Sequence, residues 1–129
     1  MAGAADFTVI RRDPITPLDP TNDTHTDTFT LPSDVDVQQP AILGLLVDTN
    51  AANNLRLRVL INDHPVESTA PYKGDVFHTI DEIIVPIDAQ HGTLKKGTSN
   101  TITYHLQSGT GTVACSDVVL WWRHVAPPR

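Results

Sequence analysis

Apolar residues in this chain recur at every second position, and prolines cut the alternating pieces short. Leu55, Leu57, Val59 and Ile61 alternate with Asn54, Arg56, Arg58 and Leu60. That spacing sets the apolar four on one face of a strand and both arginines on the other. Ile102, Tyr104 and Leu106 alternate with Thr101, Thr103 and His105 in the same way. Phe7, Val9 and Arg11 mark a short first strand, and Phe29 with Leu31 a second. Residues 41–47 (AILGLLV) and 118–122 (VVLWW) are continuous apolar runs, the pattern of strands covered on both sides or twisted through a bulge. Ile83, Ile84 and Val85 favour another strand, which Pro86 stops.

No window has convincing helical spacing. The pattern predicts an all-β chain: an antiparallel β-sandwich of seven or eight strands in a single domain over residues 1–129. Pro14, Pro17, Pro20, Pro32 and Pro40 punctuate a first segment, about residues 1–40, that also holds the acidic excess. Eight acids and two bases precede residue 49, whereas acids and bases balance after it. The net charge of −6 argues against nucleic acid or an anionic membrane surface, both of which need a basic footprint. No stretch reaches the ~20 apolar residues of a membrane-spanning helix, and no basic-then-apolar leader pattern opens the chain. The compartment stays open, because one cysteine suits a reducing environment without demanding it.

The second half carries a resemblance. A strand ends in the turn Leu60-Ile61-Asn62-Asp63. A second turn, Leu94-Lys95-Lys96-Gly97-Thr98-Ser99-Asn100, precedes the strand from Thr101 to Leu106. The chain then passes through Gly109-Thr110-Gly111 to Asp117-Val118-Val119-Leu120-Trp121-Trp122. Over residues 55–124 this resembles the galactose-binding-domain-like jelly roll of many carbohydrate-binding modules, although the spacing from Gly97 to Asn100 is one residue longer than usual. Gly97 can supply the positive φ of a tight turn, and Asn100 can hydrogen-bond backbone as the chain enters the strand. The resemblance implies a jelly-roll fold and a non-catalytic, lectin-like module with a carbohydrate or glycan partner.

Two groups of residues are candidates for a site. In residues 19–27 (DPTNDTHTD), Asp19, Asn22, Asp23 and Asp27 are hard oxygen donors of the kind calcium prefers. The resemblance adds Asp117 as a last-strand carboxylate for a structural calcium. The competing reading is an acidic turn whose side chains bond their own backbone. The second group surrounds Tyr72 in STAPYKGD (68–75), read as a loop. There an aromatic face with Lys73 and Asp75 could hold a sugar, helped by Asp63 and His64 from the preceding turn. The competing reading is a tyrosine that covers the end of the sandwich.

Other chemistry is poorly supported. The six histidines are scattered singly without metal-ligand spacing. Cys115 reads as a small buried residue, with no Cys/His/Asn or G-x-S-x-G context. Only Glu67 and Glu82 accompany the aspartates as glycosidase acids, and nothing sets a carboxyl pair across a cleft. Asn22-Asp23-Thr24 is a glycosylation sequon, usable only on a eukaryotic secretory route. An alternative function is assembly, as a homo-oligomer or particle. Leu45 or Leu46, Leu60 and one of Trp121 and Trp122 would lie where a monomeric sandwich places polar residues. The proline-rich segment would then be an arm docked on a neighbour.

Overall fold

The computed structural model describes residues 3–68, 71–85 and 93–126. Six strands follow in order: β1 (Ala5–Arg11), β2 (Thr24–Thr30), β3 (Ala41–Ile61), β4 (His64–Ser68), β5 (Tyr72–Val85) and β6 (Ser99–Arg123). Every pairing is antiparallel, and β3 and β6 lie at the centre.

The two central strands are too long to stay in one plane, and both bend at matching places. In β3, Ala51 and Asn54 take positive φ; opposite them in β6, Gly109 and Gly111 do the same at +90° and +100°. A β-carbon at Gly109 would stand 2.3 Å from the Asn54 carbonyl oxygen, so glycine is required there by space as well as by backbone. The bend divides the sheet into two arms. In one, β1 and β5 flank the halves of β6 and β3 around residues 112–123 and 41–50. In the other, β2 and β4 flank residues 99–108 and 56–61. Against the seven or eight strands expected, the described residues form six, because 41–47 with 55–61 form one bent strand, and 101–106 with 118–122 another.

Both arms contribute inward side chains to one core. Leu43, Leu45 and Val47 come from one half of β3, and Leu55, Leu57, Val59 and Ile61 from the other. Ile102, Tyr104 and Leu106 of β6 share that core with Cys115, Val118, Leu120 and Trp122. Asp117, at φ +48°, is an extra residue in β6 where the register slips between Gly44 and Leu46. This bulge moves the inward set from Val113 and Cys115 to Val118, Leu120 and Trp122.

The strands of the proline-rich segment, β1 and β2, both pair with β6 of the same chain. The edge strand β2 turns His25 and Asp27 toward the inner face. There Asp27 accepts from Arg11 Nε at 2.9 Å and meets His25 Nε2 at 2.9 Å. Burial raises the Asp27 pKa, but the bonds from Arg11 and His25 outweigh it and hold the carboxyl below its usual range. Inward charge of this kind protects an edge strand from pairing with another chain.

At the far end, Asn62 and Asp63 form a two-residue hairpin turn with φ of 50° and 66°. Asn62 donates to the Thr93 carbonyl and to Asn100 Oδ1, and its own Oδ1 accepts from Thr101 N. The fully buried Asn100 closes the 95–100 turn by bonding both the N–H and the carbonyl of Lys95. Gly97 takes the positive φ expected of it, +69°.

Candidate functional site

The two arms have unlike outer faces. On the arm of β2 and β4, outward positions are Thr24, Thr26, Thr28, Thr101, Thr103, His105, Arg56 and Arg58, with Leu60 half-buried among them. On the arm of β1 and β5, outward positions are Phe7 and Val9, Val119 and Trp121, and Ile42, Gly44 and Leu46.

Three of these make a row. Phe7 pairs with Trp121, and Trp121 with Ile42, so the three stand side by side on adjacent strands. Their exposures are 57%, 44% and 43%, against 4% for Trp122. Opposite facing of the adjacent tryptophans is the expected consequence of a strand, and the bulge at Asp117 decides which one faces out. The Trp121 six-membered ring lies over Gly44, where any side chain would collide with it. A shallow groove of about 120 Å³ runs beside the row, lined by Pro40, Ile42, Trp121 and Arg123 among others. The Arg123 guanidinium donates one bond to the Gly3 carbonyl at 3.2 Å.

His124 fixes this end of the sheet. Its Nδ1 lies 2.6 Å from Asp34 Oδ2 and its Nε2 2.9 Å from Asp6 Oδ2, while its ring meets Trp122 edge-on at 4.6 Å. Asp34 first, and then Asp6, raises the imidazole pKa. The Phe7 N–H and then His124 hold the Asp6 carboxyl below its usual range. Because Asp6 precedes Phe7 on β1, this cluster tethers the strand that carries the first ring of the row. No spacing in the sequence relates these three residues.

At the other end of the same face lies a larger cleft of about 330 Å³, lined by Pro17, Asp48, Thr49, Asn50, Asp75, Val76, Thr112 and Ala114. Asp75 Oδ1 accepts from the Ala51 N–H at 2.9 Å. Thr49 Oγ1 donates to the Gly74 carbonyl and accepts from Val76 N, each at 3.0 Å, which pins the chain on both sides of Asp75.

The residues proposed from sequence separate in space. Tyr72 and Lys73 are not in a loop: they begin β5, and Tyr72 packs against the core beside Leu55. Asp63 and His64 sit beyond Ile61, six strand positions from Leu55, so they do not join Tyr72. Asp75 of that group lines the larger cleft.

The carboxylates considered for calcium are likewise dispersed in role. Asp19 Oδ1 accepts from Thr21 N, Thr21 Oγ1 and Asn22 N, and these bonds, that from the Thr21 hydroxyl foremost, lower its pKa. Asn22 is exposed, Asp23 accepts from the Thr24 hydroxyl, Asp27 is held by Arg11 and His25, and Asp117 forms the bulge. Among the described residues, no three His, Cys, Asp or Glu side chains are grouped as a metal would need. His78 and His91 lie outside the described side chains.

No family model matches this sequence, and no curated protein does. Among solved structures, the chain is similar to dimeric latent PorU from Porphyromonas gingivalis, at 9% identity and TM-score 0.65 over 97% of its length. It is also similar to BuGH86wt in complex with neoagarooctaose, at 20% identity and TM-score 0.55 over 92% of its length. The chain spans only 13% and 18% of those two chains. A family 35 carbohydrate-binding module from an environmental isolate matches at 12% identity and TM-score 0.54, covering 98% of this chain and 90% of the module. The fold is therefore an all-β jelly-roll sandwich, similar to that of the family 35 module.

Proposed function

We propose that the chain is a non-catalytic, lectin-like carbohydrate-binding module whose ligand lies on the outer face of β1, β6 and β3. The observation that carries this reading is the exposed row of Phe7, Trp121 and Ile42, in register on neighbouring strands. An apolar aromatic surface in water is costly unless something covers it, and the C–H face of a pyranose ring suits a flat aromatic partner. Arg123 at the margin offers donors to sugar hydroxyls. The likeness in fold to a family 35 module and to a protein solved with neoagarooctaose supports the reading.

The test is retention of the full chain in gels containing xylan, mixed-linkage β-glucan or agarose, with Trp121→Ala alongside. The wild-type chain should be slowed by one of them and Trp121→Ala should not, with unfolding midpoints of the two within a few degrees. Equal retardation of both proteins, or none of the wild type by any polymer, would overturn the reading. Light scattering on the same samples addresses the assembly alternative: a trimer or larger that dissociates in Trp121→Ala would assign the row to contacts between copies.

A further inference from the structure

We infer that the cleft of Asp48, Asn50, Asp75 and Thr112 is a second subsite on the same face as the aromatic row, and that one extended, hydroxyl-rich glycan chain running along β3 occupies both. This deepens the carbohydrate-binding reading and rests on it.

That both sites share a face follows from β3 alone. Leu43, Leu45, Val47 and Thr49 are buried, so Ile42, Gly44, Leu46, Asp48 and Asn50 all point outward. Ile42 belongs to the row and Asn50 to the cleft. The eight residue steps from Ile42 to Asn50 span about 26 Å of strand, the reach of roughly five linked pyranoses. Between the Trp121 ring, which covers Gly44, and the cleft lie the half-buried Leu46 and Val119, with the exposed Asp117 of the bulge beside them. A glycan that follows the strand direction from the row to the cleft would pass over Leu46 and Val119 and beside Asp117.

The two ends are chemically complementary to different parts of such a chain. The row offers flat apolar contact. The cleft offers two carboxylates, an amide and a hydroxyl beside Ala114 and Pro17, and its volume lies within the usual range of small-ligand sites. Asp75 is held in advance by the Ala51 N–H and by the Thr49 bonds that flank it, so little order has to be imposed when a sugar hydroxyl arrives. Two weak subsites on one chain act at a high effective concentration, which makes affinity depend on ligand length.

The experiment is calorimetric titration of the full chain with oligosaccharides of increasing length, prepared from whichever of the three polymers retards it. Affinity should rise by about tenfold or more between the disaccharide and an oligomer that spans both ends. Asp75→Asn, which keeps an acceptor for Ala51, and Thr112→Val should each remove most of that gain and leave disaccharide binding intact. If the disaccharide binds as tightly as the longest oligomer, or both cleft variants bind the long oligomer like wild type, the second subsite is wrong while the row stands. If Trp121→Ala retains full binding, the row itself is wrong and the inference falls with it.

Discussion

The indole of Trp121 takes the space that a side chain at position 44 would fill: its Cζ3 stands 2.6 Å from where a β-carbon on Gly44 would lie. Glycine in a strand interior sacrifices stability, and here it lets the ring fold down onto the sheet. Position 44 has no positive φ, so alanine fits the backbone and the indole must move instead. Gly44→Ala is expected to change stability by less than about 1 kcal/mol, since gained strand propensity offsets lost ring packing. It should nonetheless weaken polysaccharide retention nearly as much as Trp121→Ala. Retention at the wild-type level would show that the folded-down ring is not what the ligand meets.

The His124 cluster makes stability depend on pH in a definite direction. Only the imidazolium can donate from both ring nitrogens, and both face carboxylates. Its pKa is raised above 6.5, so the contribution of His124 is fully present below that value and is lost as pH rises through the folded-state value. The Asp6 pKa is lowered from 3.8, so its contribution is present above 3.8 and is lost as pH falls through the folded-state value. The tether is therefore strongest in mildly acidic solution. Unfolding midpoints of wild type and His124→Ala should lie furthest apart near pH 5 to 6 and converge toward pH 9. A gap that is constant across this range would contradict the assignment.

Asn100 has no solvent exposure, and its amide joins the 95–100 turn to the Asn62 hairpin. Asn100→Leu would strand the Lys95 N–H, the Lys95 carbonyl and one Asn62 donor together. We expect a loss of about 2–4 kcal/mol in urea unfolding, large for one side chain because several part-buried hydrogen bonds of one buried amide are lost at once. Less than about 1 kcal/mol would mean that water replaces those bonds.

Tyr104 presents the opposite case. Its hydroxyl is buried and meets no partner at full hydrogen-bonding distance among the described residues, Asp27 being the nearby carboxylate, and burial, followed by the charge of Asp27, keeps the phenol protonated. Tyr104→Phe should leave stability unchanged or raise it by up to about 1 kcal/mol, because an unsatisfied polar group is removed without changing the ring. Urea unfolding would reveal any loss.

Much of the core was legible from alternation alone. Leu55, Leu57, Val59, Ile61, Ile102, Tyr104 and Leu106 are inward as the period of two requires. What sequence could not give was phase across a bulge. Counting in twos from Leu106 fails to place Val113 and Cys115 inward, and counting on from Cys115 fails again at Val118, because bends and Asp117 intervene. Tyr72 was misplaced for a related reason: Gly74, at φ +74°, and the nearby prolines read as a loop, whereas β5 already pairs with β3 at Tyr72. The row and the His124 cluster were invisible because each joins residues from segments remote in sequence. A pair such as Phe7 and Trp121 exists only once strand order is known.

The central pairing of β3 with β6 also governs how the molecule can form. Ala5 pairs with Arg123, and Thr30 with Ser99, so neither early strand finds its partner until nearly the whole chain is present. Such high contact order places folding in the slow, millisecond-to-second range of β proteins. The two arms also share the covalent backbone of β3 and β6, so neither can melt while the other keeps its central strands intact. Unfolding should accordingly be a single cooperative step, and the face that carries Trp121 should have no independent existence as a smaller fragment.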